Sequence, residues 1–175
     1  MTDEKSAIAA QARLDSLAKP LNGLGLFERI IVRLAAIQHT PDVDIGKKCV
    51  LVLCADNGVV REGVTQTDAS VTRIVARKIA AGQGNINGMA RAVGADVFCV
   101  DVGMLEGEGH PNLMERIIAR GTDNIARGSA MSREQANEGI EIGVSLVKML
   151  AGSGYKIVAI GEMGIGNTKI GRAHV

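Results

Sequence analysis

Residues 157–168 have the sequence Ile157-Val158-Ala159-Ile160-Gly161-Glu162-Met163-Gly164-Ile165-Gly166-Asn167-Thr168. The apolar, β-branched run at its start is typical of a strand buried on both faces of a parallel sheet. Glycines follow at three nearby positions, where the lack of a Cβ lets backbone N–H groups approach an anion. Asn167 and Thr168 stand where a following helix would begin, and helix N-termini attract phosphate. The stretch predicts either a phosphate-binding loop or a strand-to-helix turn that uses glycine for geometry alone.

The spacing of these glycines narrows the kind of phosphate. Gly161, Gly164 and Gly166 form G-x-x-G-x-G, which differs from the dinucleotide fingerprint G-x-G-x-x-G. Residues 161–168 also have the outline of a P-loop, G-x-x-x-x-G-x-T, but Asn167 replaces the lysine that reaches the β- and γ-phosphates. Because a triphosphate would lose its main cationic contact, the loop favours a monophosphate.

The composition excludes several classes of partner. The chain has 175 residues, 46% of them hydrophobic and 22% charged, which is typical of a soluble globular domain. A net charge of +1 does not indicate a nucleic-acid or membrane surface. The aromatic residues Phe27, Phe98 and Tyr155 are too few for a base-stacking platform. We therefore expect small-molecule partners, with no nucleic acid and no membrane.

The cysteines and histidines do not predict a metal site. Cys49, Cys54 and Cys99 lack metal-ligand spacing, and the last two lie in apolar runs, so we expect buried, reduced thiols. The histidines have no ligand spacing to cysteine or acidic residues. The N-terminal residues lack the apolar core of a signal peptide, and no run is long enough to span a membrane. A cytoplasmic protein without a metal is expected.

Apolar runs alternate with helical patterns along the chain. Residues 49–55, 96–102 and 157–160 predict buried strands, whereas 113–119 fit either a strand or a short helix. The patterns predict helices at 5–18, 26–38, 69–81, 86–93 and 132–150. The last of these helices opens with a capping box and carries an apolar face of Ala136, Ile140, Val144 and Val147.

This alternation predicts an α/β fold with a parallel sheet and right-handed crossovers. Ligands of such sheets bind beyond the carboxyl ends of the strands. Three segments that follow strands therefore belong to one rim: 56–67, 101–103 and 162–168.

The rim carries several candidate carboxylates. Asp56 and Glu62 either hold a ribose hydroxyl or a heterocycle N–H, or, for Asp56, cap the local turn. Asp101 ends an apolar strand, where an unpaired carboxylate is costly to bury, so it is paired or at the rim, and we favour the rim. Glu162 opens the glycine loop, where it acts as a general acid or base, holds a substrate hydroxyl, or accepts backbone N–H bonds.

Five motifs occur in order along the chain. They read Asp-Ser-Leu-Ala-Lys-Pro-Leu-Asn-Gly-Leu-Gly at 15–25, Ala-Asp-Asn-Gly-Val-Val-Arg-Glu-Gly-Val at 55–64, Asp-Val-Gly at 101–103, Gly-Thr-Asp-Asn-Ile at 121–125 with Ala-Met-Ser-Arg-Glu-Gln-Ala at 130–136, and Gly-Glu-Met-Gly-Ile-Gly-Asn-Thr at 161–168. Over about residues 8–168 the chain resembles the nicotinate-nucleotide:dimethylbenzimidazole phosphoribosyltransferase family of cobalamin lower-ligand assembly. The resemblance implies a Rossmann-like parallel sheet with flanking helices, a smaller helical part that includes the N-terminal helices, a homodimer, and no metal or organic cofactor.

The resemblance also implies a reaction and a set of site residues. The family transfers phosphoribose from nicotinate mononucleotide to 5,6-dimethylbenzimidazole, giving α-ribazole 5′-phosphate and nicotinate. It implies that the glycine loop touches the nucleotide and that the loop 56–67 lines the base pocket. Thr67 matches a serine position near the benzimidazole, and Val75 falls where some members place a base-contacting glutamine. The substrate-binding residues that we predict are Asp56, Glu62, Thr67, Asp101, Asn124, Gly164, Gly166, Asn167 and Thr168, with Glu162 as a supporting catalytic residue.

The chain departs from the family in length. The family chain is longer, and its catalytic-base glutamate lies in a C-terminal half that no residue here matches. The resemblance thus implies an N-terminal half with an incomplete sheet and no turnover alone, divided into a helical segment at 1–45 and part of the α/β domain at 46–168. Residues 169–175 are expected to be a non-native tail, since codons ATC GGA AGA GCA CAC GTC for 170–175 match a common sequencing-library adapter.

Other functions remain open from the sequence. The same transfer could use another base or a phenol as acceptor. A non-catalytic module that binds a nucleoside monophosphate is the alternative of a different class.

Overall fold

A computed structural model describes residues 2–105 and 107–170. The chain divides into two compact units, Met1–Gly46 and Lys47–Val175. The expected non-native tail at 169–175 lies outside the described residues from position 171 onward.

Helices form the first unit, and helices alternate with strands in the second. The elements are α1 (Glu4–Asp15), α2 (Leu26–Gln38), β1 (Lys48–Ala55), a 3₁₀ helix (Gly58–Glu62), α3 (Ser70–Ala80), α4 (Asn85–Ala92), β2 (Ala95–Gly103), β3 (Leu113–Glu115), α5 (Arg133–Gly152), β4 (Ile157–Met163) and α6 (Asn167–Ile170). Of the helices in these described ranges, none combines the length and the apolar character that crossing a membrane requires.

A buried carboxylate organises the helical unit. The Glu28 side chain is 2% exposed and accepts a hydrogen bond from the backbone N–H of Leu24 at 3.0 Å. The same oxygen lies 3.0 Å from Lys19 Nζ. These contacts fasten the loop between α1 and α2, which contains the first sequence motif, to the start of α2. The Leu24 N–H and the Lys19 ammonium together hold the pKa of Glu28 below its ordinary value.

The second unit is built on a parallel sheet in the order β3-β2-β1-β4. One face packs on α3 and α4 through a cluster that contains Val52, Ala76 and Cys99. The other face packs on α5 through Leu51 and the residues around it. The predicted Rossmann-like parallel sheet with flanking helices is confirmed. Helices on both faces bury the central strands β1 and β2, as their continuous apolar runs predict.

The thiols are buried in this sheet, as predicted. Cys49, Cys54 and Cys99 are free and no more than 1% exposed. The Sγ atoms of Cys54 and Cys99 lie 3.4 Å apart on the face covered by α3. The hydrogen bond between these thiols and burial raise the pKa of Cys54, so this side chain stays a neutral thiol packed in the core.

The prediction for β4 was wrong in two respects. The strand was expected to be buried and to end at Ile160, but Ile160 is 73% exposed. Pairing with β1 continues through Gly161 opposite Val52 and Glu162 opposite Leu53. Gly161 does not interrupt the strand. A Cβ added at this position would meet the side chain of Val52 at an ordinary van der Waals distance. The glycine loop therefore begins at Gly164, and the P-loop outline from 161 does not correspond to a loop.

The inward face of α5 also differs from the prediction. The capping box forms, with Ser132 and Gln135 exchanging hydrogen bonds of 2.8 and 3.2 Å. However, Leu146 and Leu150 face the sheet, whereas Ile140 is 66% exposed. The inward stripe contains glycine: a Cβ added to Gly139 would lie 3.4 Å from Ile118 Cδ1. Apolar periodicity does not detect a face built partly of glycine.

Replacing Glu28 by Gln should lower the stability of the chain at neutral pH and flatten its dependence on acid pH. Because the pKa of Glu28 is depressed in the folded state, its contribution is present above the unfolded-state pKa near 4.5 and is lost as the pH falls below that value. Thermal unfolding between pH 3 and pH 7 measures the difference. The control is Glu138→Gln, an exposed glutamate of α5. Identical pH profiles for Glu28→Gln and the wild type would contradict the assignment.

Candidate functional site

The candidate site lies where the strand order reverses. After β1 the chain builds β2 and β3 on one side, and then returns to place β4 on the other side of β1. In open α/β sheets the crevice beyond the carboxyl ends at such a reversal is where ligands bind. The turn after β1, beginning at Asp56, and the glycine loop after β4 meet there. The grouping of these two segments on one rim is confirmed by hydrogen bonds between them.

Close backbone contact positions the glycine loop. A Cβ on Gly164 would lie 2.4 Å from the carbonyl oxygen of Ala55, so only glycine lets the loop rest against the end of β1. Gly166 has φ +93° and lies against Val59 and Val60 of the 3₁₀ helix. The N–H of Ile165 points inward and donates to Thr72 Oγ1 at 3.1 Å. The loop is therefore held from three sides.

An asparagine that the sequence analysis did not single out joins the two loops. Asn57 Nδ2 donates to the carbonyl oxygen of Ile165 at 3.1 Å and to Asn167 Oδ1 at 2.5 Å. Asn57 is 9% exposed. Its position directly after a buried strand was the available signal, because polar residues there face the rim. The turn composition instead predicts the neighbouring Asp56 as the site residue.

The glycine loop keeps N–H groups available for an anion. The amides of Ile165 and Asn167 are used internally, the second by the carbonyl of Gly164 at 3.2 Å. The amides of Gly166 and Thr168 have no hydrogen-bond partner within residues 2–105 and 107–170. Thr168 is exposed, so its hydroxyl is also accessible. Successive backbone N–H groups that are left without a partner at a turn are the groups that bind anions.

Asp56 is a structural anchor at the end of β1. It is 3% exposed, its Oδ2 accepts the N–H of Leu105 at 2.8 Å, and its backbone N–H donates to Gly103 at 3.0 Å. The other carboxylate oxygen, Oδ1, is buried without a hydrogen-bond partner among the described residues. Asp56 thus ties β1 to the loop after β2, and one of its oxygens is left over.

Asp101 is paired, and the rim position that we favoured is wrong. The residue is 1% exposed, and its Oδ1 accepts the backbone N–H groups of Gly103 and Met104 at 2.9 and 2.7 Å. Its Oδ2 lies 3.5 Å from Arg73 and 3.7 Å from Arg120. The cost of burying a charge is offset by these two guanidinium groups and two amides. Asp101 therefore lies inside the protein, where it holds the backbone of the rim in place and does not line it.

Glu62 and Asn124 are brought together. Glu62 Oε1 accepts from Asn124 Nδ2 at 2.5 Å and from Arg127 Nε at 2.9 Å. These hydrogen bonds, that of Asn124 first, hold the pKa of Glu62 below its ordinary value. The contact links the end of the 3₁₀ helix to the fourth motif. Nearby, a Cβ on Gly58 would lie 2.5 Å from the backbone of Asp123, which makes this junction equally tight.

Glu162 and Thr67 stand apart from these networks. Both are exposed, and no hydrogen bond joins either side chain to another predicted site residue in the described part of the chain. Glu162 projects from β4 beside Leu53, on the same face of the sheet as α5. Its carboxylate is therefore accessible to solvent on β4, two residues before the glycine loop begins at Gly164.

Pockets open at the same edge of the sheet. A pocket of about 350 Å³ is lined by Asp56, Ala69, Ser70, Arg73, Ile74, Arg77 and Leu105. Another, of about 120 Å³ and almost wholly apolar, is lined by Ala55, Val102, Gly103, Ile118, Ala119, Gly121, Thr122, Ala130, Met131 and Gln135. An engineered apolar cavity of about 150 Å³ holds benzene, so the smaller pocket has the size for one flat ring. Within the described ranges, no cluster of three or more His, Cys, Asp or Glu side chains is arranged to hold a metal ion.

Curated relatives share most of this chain's sequence pattern. Nicotinate-nucleotide–dimethylbenzimidazole phosphoribosyltransferase of Acetivibrio thermocellus is 44% identical over 158 residues, which are 90% of this chain and 45% of the relative. The enzyme of the same name from Clostridium perfringens is 40% identical over 166 residues, 95% of this chain and 46% of the relative. The chain thus spans about half the length of these curated relatives.

A solved structure agrees with these matches. The crystal structure of nicotinate-nucleotide-dimethylbenzimidazole phosphoribosyltransferase from Thermus thermophilus superposes with a TM-score of 0.89 at 37% identity, covering 95% of this chain and 51% of that one. The resemblance seen in the five motifs is confirmed. The phosphoribosyltransferase family also matches residues 1–175 as a family. From these matches together, the chain belongs to the phosphoribosyltransferase family.

Proposed function

We propose that this chain forms the nucleotide-binding half of an enzyme that transfers phosphoribose from nicotinate mononucleotide to 5,6-dimethylbenzimidazole, in cobalamin lower-ligand assembly. The observation that carries the proposal is the junction of the two rim loops, where Asn57 fastens the glycine loop beside the end of β1. The N–H groups of Gly166 and Thr168, which have no hydrogen-bond partner among the described residues, lie in that loop at the strand-order reversal. The enzymes to which the chain is similar are named for the donor and the acceptor, nicotinate nucleotide and dimethylbenzimidazole.

The glycine loop holds the 5′-phosphate in this proposal. Amides and the side chains of Asn167 and Thr168 offer hydrogen bonds that a monophosphate accepts. Fixing the phosphate positions the ribose and converts remote binding into orientation of the reacting carbon. The loop residues that we predict to contact the phosphate include no lysine or arginine, which favours a monophosphate over a triphosphate.

The reaction exchanges one C–N bond for another. The bond from ribose C1′ to the nicotinate nitrogen breaks, leaving positive charge on the sugar. The benzimidazole nitrogen bonds to C1′ and loses its proton to the catalytic-base glutamate that the resemblance implies in the C-terminal half. Glu162 is exposed two residues before the glycine loop, and in this proposal its carboxylate stabilises that positive charge. Asp56, through its left-over Oδ1, and Thr67 contribute to the base side of the site. Glu62, Asn124 and Asp101 hold the surrounding loops in place.

Binding of nicotinate mononucleotide tests the proposal directly. We expect residues 1–175 to bind this nucleotide in isothermal titration calorimetry and to bind nicotinate riboside, which lacks the phosphate, at least tenfold more weakly, equivalent to about 1.4 kcal/mol. Equal affinity for the two ligands would contradict a phosphate-holding loop. A non-catalytic module would bind the nucleotide but give no product with dimethylbenzimidazole when joined to a relative's C-terminal half. Offering adenine or a phenol to that fusion tests the acceptor.

Gly164→Ala should weaken nucleotide binding. The added Cβ would lie 2.4 Å from the Ala55 carbonyl oxygen, so the loop must move away from β1. We expect at least a tenfold loss of affinity for nicotinate mononucleotide in calorimetry, or about 1.4 kcal/mol. The matched control is Gly143→Ala in α5, where a Cβ meets nothing within 4 Å and helix propensity adds about 0.5–1 kcal/mol of stability. Wild-type affinity in Gly164→Ala would rule out the loop as the phosphate site.

Glu162→Gln separates chemistry from binding. Because Glu162 is exposed and outside the loop's hydrogen bonds, the variant should fold and bind nicotinate mononucleotide as the wild type does. In the fusion with a relative's C-terminal half, kcat for transfer to dimethylbenzimidazole should fall about a hundredfold. The control is Glu141→Gln on the exposed side of α5. An unchanged kcat would remove Glu162 from the reaction.

A further inference from the structure

We propose that Asn57 is a positioning residue that fixes which end of the Asn167 amide faces the ligand, so that the phosphate meets N–H donors. The inference rests on the proposed function, because it concerns the same loop. Asn57 makes no contact with the ligand in this scheme. It acts through Asn167.

A backbone carbonyl sets the orientation of the two side-chain amides. The oxygen of Ile165 can only accept, and Asn57 Nδ2 lies 3.1 Å from it. With its amide turned the other way, Asn57 would place oxygen against oxygen at that distance. The Ile165 carbonyl therefore fixes the orientation of the Asn57 amide.

The second hydrogen of the same NH₂ group transmits this polarity. Asn57 Nδ2 lies 2.5 Å from the Asn167 side chain, and a donor at that distance requires an acceptor opposite, which is Oδ1. Asn167 Nδ2 is then the end left over, with two N–H groups and no hydrogen-bond partner within residues 2–105 and 107–170. A free asparagine has no such preference, since its two ends are nearly equal in shape.

Packing shields from water the contact from Asn57 to Asn167, which we call the relay. Asn57 is 9% exposed. Gly166, which has φ +93°, packs against it: a Cβ added to this glycine would lie 3.5 Å from the Cβ of Asn57. Asn167 lies over Gly164, whose missing Cβ would meet the Asn167 side-chain nitrogen at 3.0 Å. Both loop glycines thus keep the two asparagines in contact. Water cannot readily replace Asn57 as the donor to Asn167.

The consequence is selection by charge. A phosphate oxygen accepts hydrogen bonds and is repelled by a carbonyl oxygen, so the orientation of one amide decides whether the loop attracts or repels the anion. Nicotinate riboside has no phosphate and does not sense this orientation. Asn57 should therefore contribute to the preference for the phosphorylated ligand and not to binding of the nucleoside.

A double-mutant cycle tests the relay. Calorimetry on the wild type, Asn57→Ala, Asn167→Ala and the double variant would compare nicotinate mononucleotide with nicotinate riboside. We expect Asn57→Ala to reduce the preference for the phosphorylated ligand about tenfold, and by much less once Asn167 is alanine, where only the hydrogen bond to the Ile165 carbonyl is lost. Additive effects, or equal weakening of both ligands, would overturn the inference, because a merely structural role acts on both.

A measurement on the wild type covers the case in which Asn57→Ala does not fold. Inorganic phosphate is titrated into ¹⁵N-labelled protein while the side-chain NH₂ signals of Asn167 and the amides of Gly166 and Thr168 are followed by NMR. We expect all three to shift together. Movement of the two backbone amides without the Asn167 NH₂ would overturn the relay alone. If nothing moves and nicotinate mononucleotide does not bind, the proposed function fails, and the relay fails with it.

Discussion

The candidate site depends on the parallel pairing of β1 with β4. The two strands stay in register from Lys48 opposite Ile157 to Cys54 opposite Met163, so the loops that leave them start at the same level. Gly164 can then press its α-carbon against the carbonyl of Ala55. A shift of one residue in this register would remove that contact and turn every side chain of the strand to the opposite face. The geometry of the rim is thus set by backbone pairing before any side chain contributes.

Polar groups around the rim divide into those that build it and those that remain available. Thr72, Asn57 and Asp101 are buried, and each contacts backbone groups of the loops. The amides of Gly166 and Thr168 instead have no hydrogen-bond partner in the described ranges. Donors held in place before a ligand arrives need little reorganisation when it binds. The buried polar residues are therefore as much a part of the site as the loop that they support.

Much of this arrangement could be predicted from the sequence, and the failures have physical causes. The apolar runs around β1 and β2, the helix from Leu26 to Gln38 and the capping box at Ser132 follow from local pattern. The end of β4 was not predicted, because a glycine within a strand gives the same sequence signal as a loop when its neighbour Val52 is unknown. The pairing of Asp101 required knowledge of Arg73 and Arg120, which are distant in sequence. The role of Asn57 was not predicted because it depends on contacts with Ile165 and Asn167, about a hundred positions away in the sequence.

The outer side of β4 has a practical consequence for work with this chain in solution. Ile160 is 73% exposed on that strand, and Ile140 and Val144 on α5 are 66% and 49% exposed. An exposed apolar strand beside an apolar helix face is a template for self-association. We therefore expect preparations of residues 1–175 to self-associate as they are concentrated, and a light-scattering check at each dilution is needed before a titration signal is ascribed to a ligand.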